Sequence, residues 1–101
     1  MKHCEKALDL NWNNAEYHNL YGFLLGRLER YDEAEKEFKI AISQDDQEYI
    51  FYYNYGYVLG KLHKYEDAQK IYRKCLTFTQ DAYIYQAYGL VLQEVNRYKE
   101  A

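Results

Sequence analysis

Three glycines at a nearly constant spacing are the feature that most constrains the fold of this chain. Gly22, Gly56 and Gly89 lie 34 and 33 residues apart in a sequence of 101 residues. Tyrosine and alanine recur in the same phase, at Tyr31, Tyr65 and Tyr98 and at Ala34, Ala68 and Ala101. A repeat of this length is typical of stacked units that bury their apolar faces only against their neighbours. The spacing therefore predicts an extended scaffold and favours a binding protein over an enzyme.

The composition indicates a folded protein and argues against several classes of partner. Hydrophobic residues make up 49% of the chain and proline is absent, so we expect one continuous domain over residues 1–101. The net charge of -3 is spread over mixed signs without a basic block, and nucleic acid is not an expected partner. Apolar runs are shorter than the roughly 18 residues of a membrane span, and Met1 is not followed by the apolar stretch of a secretory signal. We expect a cytoplasmic protein without membrane insertion.

Apolar residues recur at steps of three and four, which predicts a series of amphipathic helices. The predicted helices cover residues 15–28, 32–43, 49–62, 66–78 and 82–95. The apolar face expected of the first helix is formed by Tyr17, Leu20, Tyr21, Leu24, Leu25 and Leu28. Only Glu29, Arg30 and Tyr31 separate the first two helices, so these should fold back as an antiparallel hairpin. The positions expected to cap helix N-termini are Asn14, Asp32, Asp45, Asp46 and Asp81.

Charged pairs and thiols are assigned to structural roles. Glu35 with Lys39, and Glu66 with Lys70, are acid-to-base pairs one helical turn apart, and we expect them on solvated helix faces. Cys4 and Cys75 fall at positions where a helix of the repeat needs a small apolar residue. We expect both to be reduced thiols in the core, because free cysteine behaves as a small hydrophobic residue.

Three copies of one motif point to a known family. Leu-Tyr-Gly-Phe-Leu-Leu at 20–25 and Arg-Tyr-Asp-Glu-Ala at 30–34 are followed by Phe38 and Ala41. The motif returns at 54–59 and 64–68 with Tyr72 and Cys75, and it begins again at 87–92 and 97–101. This pattern resembles the tetratricopeptide repeat over essentially the whole chain. The sequence departs from the family at Glu29 and His63, where glycine often makes the turn, and at Asp46 and Gln80, where proline often ends the second helix.

The resemblance implies the architecture and the position of a binding surface. The implied fold is an all-α, right-handed solenoid of antiparallel helix hairpins, with repeats at 15–48 and 49–81, the second helix of a partial repeat at 1–14 and the first helix of another at 82–101. Its first helices would line a concave groove that binds a peptide or a partner helix. The groove-facing positions are Glu16, Asn19, Phe23, Arg27, Ile50, Tyr53, Asn54, Tyr57, Lys61, Tyr83, Gln86, Leu90 and Glu94.

One subfamily grips the C-terminal carboxylate of a chaperone with lysine, arginine and asparagine at five set positions. Only Asn54 matches that clamp, because Asn19, Phe23, Tyr83 and Ala87 occupy the other four positions. We therefore expect no chaperone-tail clamp. Two roles stay open for Asn54: its amide can bind the backbone of a ligand, or it can bond to its own helical surroundings.

Candidates for catalysis and metal binding are weak. His3, His18 and His63 have no cysteine or carboxylate at metal-ligand spacing, and the lone serine, Ser43, has no recognisable histidine partner. We expect no catalytic residue, metal or cofactor. Most tyrosines fall on repeated core positions, so packing roles are assigned to Tyr21, Tyr31, Tyr52, Tyr55, Tyr65, Tyr72, Tyr85, Tyr88 and Tyr98. Three aromatic residues remain as ligand-binding candidates: Tyr53, Tyr57 and Tyr83.

The two ends of the chain suggest an alternative function. Cys4, Ala7 and Leu8 would lie on an uncovered helix at one end, and Tyr85, Tyr88 and Leu92 at the other. An uncovered repeat face exposes apolar surface. The chain would then be a structural segment, either a piece of a longer repeat protein or a unit that joins its copies head to tail in an open helical array.

Overall fold

The computed structural model describes residues 14–100, with side chains described as far as Arg97. This part of the chain folds into five helices and contains no strand. The helices are α1 (Ala15–Arg27), α2 (Tyr31–Gln44), α3 (Tyr49–Lys61), α4 (Tyr65–Cys75) and α5 (Ala82–Glu100). Each helix packs most extensively on its neighbour in sequence, which gives the two hairpins α1–α2 and α3–α4 and places α5 against α4. The expected all-α solenoid is confirmed. The expected partial-repeat helix over 1–14, with Cys4, Ala7 and Leu8, lies outside the described residues except for Asn14.

Side-chain caps begin two of the five helices. Asn14 and Asp81 accept hydrogen bonds from the backbone N–H groups of Glu16 (2.7 Å) and Tyr83 (2.9 Å), which confirms both as caps. Asp32 was expected to cap α2, but that helix begins one residue earlier at Tyr31, so Asp32 lies inside the first turn. A carboxylate there still interacts favourably with the positive end of the helix dipole.

The loop before α3 uses its aspartates differently from the expected caps. The residue that caps α3 by position is Glu48, whose side chain makes no capping hydrogen bond. Asp45 instead accepts from the N–H of Gln47 at 3.1 Å, within the turn. The carbonyl of Asp46 accepts from the hydroxyl of Tyr52 at 2.9 Å, which ties the loop to the buried face of α3.

The hairpins turn at two non-glycine residues with left-handed backbone. Glu29 and His63 have φ angles of 62° and 63°. After α1, the N–H of Arg30 bonds to the carbonyl of Leu25 and the N–H of Glu29 to that of Gly26, both at 2.9 Å. This is the Schellman arrangement, and α3 ends with the same pair of bonds. The hydrogen bonds hold the turn even though glycine is absent, at a conformational cost of roughly 1–2 kcal/mol per turn.

Within each hairpin a glycine of the first helix receives an aromatic ring of the second. A Cβ built on Gly22 would lie 2.9 Å from Phe38 Cε1, and one on Gly56 would lie 2.8 Å from Tyr72 Cε1. Four small residues of the second helices have no exposed surface: Ala34, Ala41, Ala68 and Cys75. Small and large residues thus fit against each other across each hairpin, and the expected core position of the Cys75 thiol is confirmed.

The predicted core face of α1 is wrong at most of its positions. Of that set, Leu20, Tyr21, Leu24 and Leu28 are 42% to 66% exposed, and the buried residues of the helix are His18, Gly22 and Leu25. The corresponding face of α3 carries Tyr55, Val58 and Leu62, which pack in the cluster that joins α2 to α3. Among residues 14–100 no helix precedes α1, so this face of α1 has no such cover.

Further positions also differ from the sequence-based expectations. Tyr85 was assigned to packing but is 51% exposed, because no described helix lies over that side of α5. Helix α5 does not end at Val95 but continues to Glu100. Glu35 was expected on a solvated face, yet it is only 7% exposed. Its carboxylate accepts from Lys64 Nζ at 3.0 Å and lies 3.8 Å from Lys39 Nζ, so it links the two repeats as well as one turn of α2.

Candidate functional site

A depression on the face of the solenoid lies between the first helices α1 and α3. Its volume is about 310 Å³. Five predicted groove residues meet there: Phe23, Arg27, Tyr53, Asn54 and Tyr57. Four other residues that line it were missed by the sequence-based prediction: Gly22, Gly26, Phe38 and Val58. Gly26 and Gly60 repeat at the period of the chain, and that signal could have identified the first of them as a floor residue.

Glycine at position 26 gives this depression its depth. A Cβ built on Gly26 would meet only Val58 Cγ2, at 4.0 Å, so a side chain at this position would fill space that glycine leaves open. Phe38 from α2 and Val58 from α3 are almost completely buried and form an apolar floor. Phe23 and Tyr57 are 46% and 49% exposed and stand at the sides. A ligand side chain placed here would contact mainly carbon atoms.

A second, shallower depression lies between α3 and α5 and has a volume of about 250 Å³. It shares Tyr57 with the first depression, and three more predicted residues line it: Lys61, Leu90 and Glu94. The remaining lining residues are Gly60, Tyr65, Tyr72, Ala87 and Val91. Tyr57 therefore stands between two adjacent depressions that follow the axis of the solenoid.

Other predicted groove residues lie outside both depressions. These are Glu16, Asn19, Ile50, Tyr83 and Gln86. Tyr83 is 74% exposed and Ile50 38%, and both belong to the first turns of their helices. The first helices instead line the depressions with residues beyond their first turns, within 22–27 of α1, 53–61 of α3 and 87–94 of α5.

Two amides meet across the first helices. Asn54 Nδ2 donates to Asn19 Oδ1 at 2.9 Å, and both side chains are half-buried. The bond fixes the orientation of Asn54, which lines the depression between α1 and α3. An amide that donates one N–H still has a second N–H and an acceptor oxygen, so Asn54 can bond to Asn19 and to a ligand at the same time.

Two cations lie beside the aromatic walls. The Arg27 guanidinium carbon lies 6.0 Å from the centroid of the Phe23 ring, and Lys61 Nζ lies 5.4 Å from that of Tyr57. Both cations belong to the last turns of their helices, where positive charge also interacts favourably with the helix dipole. Burial raises the pKa of the Tyr72 hydroxyl beneath the second depression, so this ring stays neutral over the physiological range.

The positions expected at the C-terminal end of the solenoid are partly covered. Tyr88 and Leu92 are half-buried, and Tyr88 packs on the core shared by α3, α4 and α5. Within residues 14–100, no group of three or more His, Cys, Asp or Glu side chains is arranged to hold a metal ion. In the same part of the chain, no helix has both the length and the apolar character of a membrane span.

Comparison with known proteins gives consistent matches to one family. Tetratricopeptide repeat models match residues 3–36 and 49–81. A comparison with curated proteins finds no significant match. Among solved structures, the chain is similar to YrrB, described as a TPR protein with an unusual peptide-binding site, with a TM-score of 0.81 and 22% identity over 96% of this chain. This chain spans only 50% of the length of YrrB.

Two further structures show the same fold similarity. The TPR domain of Arabidopsis OM64 aligns with a TM-score of 0.80 and 20% identity, over 89% of this chain and 75% of its own. A mutant of MamA aligns with a TM-score of 0.77 and 15% identity, over 87% of this chain and 65% of its own. At these identities the similarity establishes the arrangement of helices.

Proposed function

Because this chain belongs to the tetratricopeptide repeat family, a fold of protein–protein interaction modules, we propose that it binds a peptide segment or partner helix in its concave groove. The observation that carries this proposal is the depression of about 310 Å³ between α1 and α3, which has an apolar floor and two exposed aromatic walls. Exposed aromatic residues around an apolar recess are the side chains that most often anchor a protein partner.

The walls and the floor favour an apolar side chain as the anchor of the ligand. Phe23 and Tyr57 lose exposed surface when a ligand enters, and each Å² of apolar surface removed from water contributes roughly 25 cal/mol. The floor of Phe38 and Val58 is already buried in the free protein, so it does not need to rearrange. A preformed recess of this kind lowers the cost of ordering on binding.

Polar groups around the recess suggest the remaining chemistry of the ligand. The Asn54 amide retains a donor and an acceptor suited to a peptide backbone. Arg27 and Lys61 lie at the same end of neighbouring first helices and favour an acidic residue next to the anchor. The expected ligand is therefore a segment that carries a bulky apolar residue flanked by Asp or Glu.

We also propose that the chain is a non-catalytic scaffold or adaptor that acts in the cytoplasm. We propose that it does not bind nucleic acid, because its net charge of -3 comes without a basic block. The peptide-binding site described for YrrB belongs to that protein, and its similar fold supports a peptide-binding role here.

A capture experiment with the intact chain and two variants tests the groove. The intact chain, a Phe23→Ala/Tyr57→Ala variant and an Ile40→Ala variant are immobilised, and proteins bound from a source lysate are identified by mass spectrometry. Ile40 of α2 is an exposed apolar residue that lines neither depression, so it serves as the control. We expect a partner that is lost only with the groove variant, provided that circular dichroism shows equal helix content in all three proteins. Retention of every captured partner by the groove variant contradicts groove recognition.

A second candidate function rests on the exposed end of the solenoid. Leu20, Leu24 and Leu28 of α1 are 50% to 66% exposed, which is the apolar surface expected where a further repeat would stack. In this alternative the chain is a structural segment of a longer repeat protein or assembles head to tail with its copies. Sedimentation velocity over a concentration series tests self-assembly, and a strict monomer at millimolar concentration contradicts it.

A further inference from the structure

The depression between α3 and α5 repeats the depression between α1 and α3, one period further along the chain. Seven of the nine residues that line the first have a counterpart 33 or 34 positions later among those that line the second. In both, the floor is an almost completely buried aromatic ring of a second helix beside a buried valine of a first helix. The corresponding floor residues and the glycines beside them are Phe38 with Tyr72, Val58 with Val91 and Gly26 with Gly60. The groove therefore offers the same kind of apolar recess twice.

The side chain of Tyr57 lines both depressions and so lies between them. Helix α1 contacts α3, and α3 contacts α5. The axes of packed helices are about 8–10 Å apart, so the two depressions should be separated by about the same distance. A ligand with two apolar side chains at this separation would fill both. Its second contact would then form at a high effective concentration, because the first contact already holds the ligand in place.

The position of Tyr57 also restricts the conformation of such a ligand. The ring is 49% exposed, so the ligand residues between the two anchors must point away from it. In a polyproline II segment, residues three positions apart lie on the same side at a distance of about 9 Å, and the two between them point elsewhere. In a helical ligand, anchors seven positions apart span about 10 Å, but the side chains midway between them would point at the Tyr57 ring. The spacing therefore favours a polyproline II segment.

The charge at one repeated position changes sign along the groove. Arg27 of α1, Lys61 of α3 and Glu94 of α5 occupy the same register of their helices. The ion pairs of the described residues include neither of these two cations. Glu94 accepts a hydrogen bond from Arg97 Nη1 at 2.9 Å, and the Arg97 side chain is 76% exposed. Since exposed ion pairs contribute little to stability, a cation of a ligand can replace Arg97.

We propose that the groove binds a polyproline II segment that carries two apolar anchors three residues apart, one for each depression. An acidic residue of the segment lies beside the anchor near α1, and a basic residue lies beside the anchor near α5, where each meets the opposite charge. Asn54 offers hydrogen bonds to the ligand backbone in the first depression, whereas its counterpart Ala87 holds the second anchor by apolar contact alone. This inference rests on the proposed function and specifies its ligand.

Two synthetic probes of equal composition test the charges and the anchors. Their core sequences are Asp-Phe-Pro-Pro-Phe-Lys and Lys-Phe-Pro-Pro-Phe-Asp, each with blocked termini and the same neutral label. The prolines favour the polyproline II conformation before binding, and the phenylalanines lie three positions apart. Fluorescence anisotropy measures the binding of each probe to the full chain. We expect one probe to bind at least tenfold more tightly, and its affinity should fall at least tenfold when either phenylalanine is replaced by alanine.

Leucine substitutions in the chain block one depression at a time. A Cβ at Gly26 would meet only Val58 Cγ2 at 4.0 Å, and a Cβ at Gly60 would meet nothing within 4 Å. Gly26→Leu and Gly60→Leu should therefore fold, and each should weaken the tighter probe at least tenfold. Asn96→Leu is the matched control, because Asn96 is an exposed, uncharged residue of α5 that lines neither depression. This variant should bind the probe as the unmodified chain does.

A charge exchange tests the orientation of the ligand. In an Arg27→Glu/Glu94→Lys chain the two ends of the groove exchange their charges, so the order of affinity of the two probes should reverse. Equal affinity of the probes for the original chain, or the same order in the exchanged chain, would overturn the assignment of charges. Circular dichroism establishes that each variant is folded, and the probe substitutions need no change in the chain.

The failure of this inference is distinguishable from the failure of groove recognition. If the tighter probe binds but neither Gly60→Leu nor the loss of one phenylalanine weakens it, a single depression holds the ligand and the two-anchor proposal is wrong. The same conclusion follows if Gly60→Leu retains a lysate partner that Phe23→Ala/Tyr57→Ala loses, although groove recognition would then stand. No binding of either probe at millimolar chain would overturn the proposed ligand, and groove recognition would still be decided by the capture experiment.

Discussion

Replacement of two equivalent glycines by alanine should change stability in opposite directions. Gly56 and Gly89 both lie near the middle of a first helix, in α3 and α5. Alanine in a helix interior stabilises by roughly 0.5–1 kcal/mol relative to glycine, and this gain applies equally at both sites. The difference between the variants therefore isolates the steric effect of one methyl group.

The structure sets the size of that steric effect. At Gly56 the new Cβ would lie 2.8, 2.9 and 3.0 Å from three atoms of the Tyr72 ring. This ring is only 2% exposed and cannot move into solvent. Overpacking of a filled core costs about 1–3 kcal/mol, so Gly56→Ala should be destabilising by up to about 2 kcal/mol. Gly89→Ala should stabilise by about 0.5–1 kcal/mol, because its Cβ meets nothing within 4 Å.

Urea unfolding followed by circular dichroism at 222 nm measures both variants. For a domain of this size, 1 kcal/mol corresponds to roughly 4–8 °C in Tm, so thermal scans should show the same opposite shifts. The dependence of the unfolding free energy on urea concentration should be the same for both variants within error, which would show that they expose equal surface on unfolding. If Gly56→Ala is stabilised as much as Gly89→Ala, the close fit between glycine and ring is not a determinant of this fold.

Three further predictions concern single side chains. Burial raises the pKa of the Tyr72 hydroxyl, so folding favours its neutral form and this stability is lost as pH rises above the ordinary tyrosine pKa of about 10. The urea midpoint of Tyr72→Phe should match that of the original chain at pH 7, and between pH 7 and pH 11 it should fall less than that of the original chain. Burial raises the pKa of Cys75 to about 11. In a Cys4→Ser variant, the Cys75 thiol should therefore react with a disulfide reagent at pH 8 only after the protein unfolds. Rapid reaction of the native protein would contradict the position of Cys75 in the core. Asn54→Ala should destabilise by about 1 kcal/mol through loss of the bond to Asn19, measured by urea unfolding, and an Asn19→Ala/Asn54→Ala chain should then lose little more than either single variant.

The repeat predicts much of the hairpin interior because the residues that meet there are separated by a fixed number of positions in the sequence. Gly22 with Phe38 and Gly56 with Tyr72 are small and large residues at one fixed separation, and the structure places each pair in contact. Asn14 and Asp81 were likewise identifiable as caps, since a capping bond involves only the next two residues. The glycine–ring contacts and the capping bonds both form between residues at short, fixed separations in the sequence.

Faces that depend on distant neighbours were harder to assign. Leu24 and Val58 occupy the same register one repeat apart, yet Leu24 is 50% exposed and Val58 is 2% exposed. Periodicity shows that both faces are apolar but not whether another helix covers them. The burial of Glu35 was missed for a similar reason, because its main partner, Lys64, lies 29 positions away on the next hairpin. A pattern search within one helix finds only the weaker contact with Lys39, at 3.8 Å.

Adjacent positions of one first helix serve different parts of the structure. Leu90 of α5 lines the second depression, whereas Gly89, one position earlier, lines neither depression. Successive residues of an α-helix are rotated by about 100° because there are 3.6 residues per turn. In α3 the same rotation separates Tyr57, which lines both depressions, from Gly56, which receives the Tyr72 ring. A substitution at Tyr57 therefore leaves the contact between Gly56 and Tyr72 in place, so a loss of binding in the Phe23→Ala/Tyr57→Ala variant would reflect the depressions and not the packing of the hairpin.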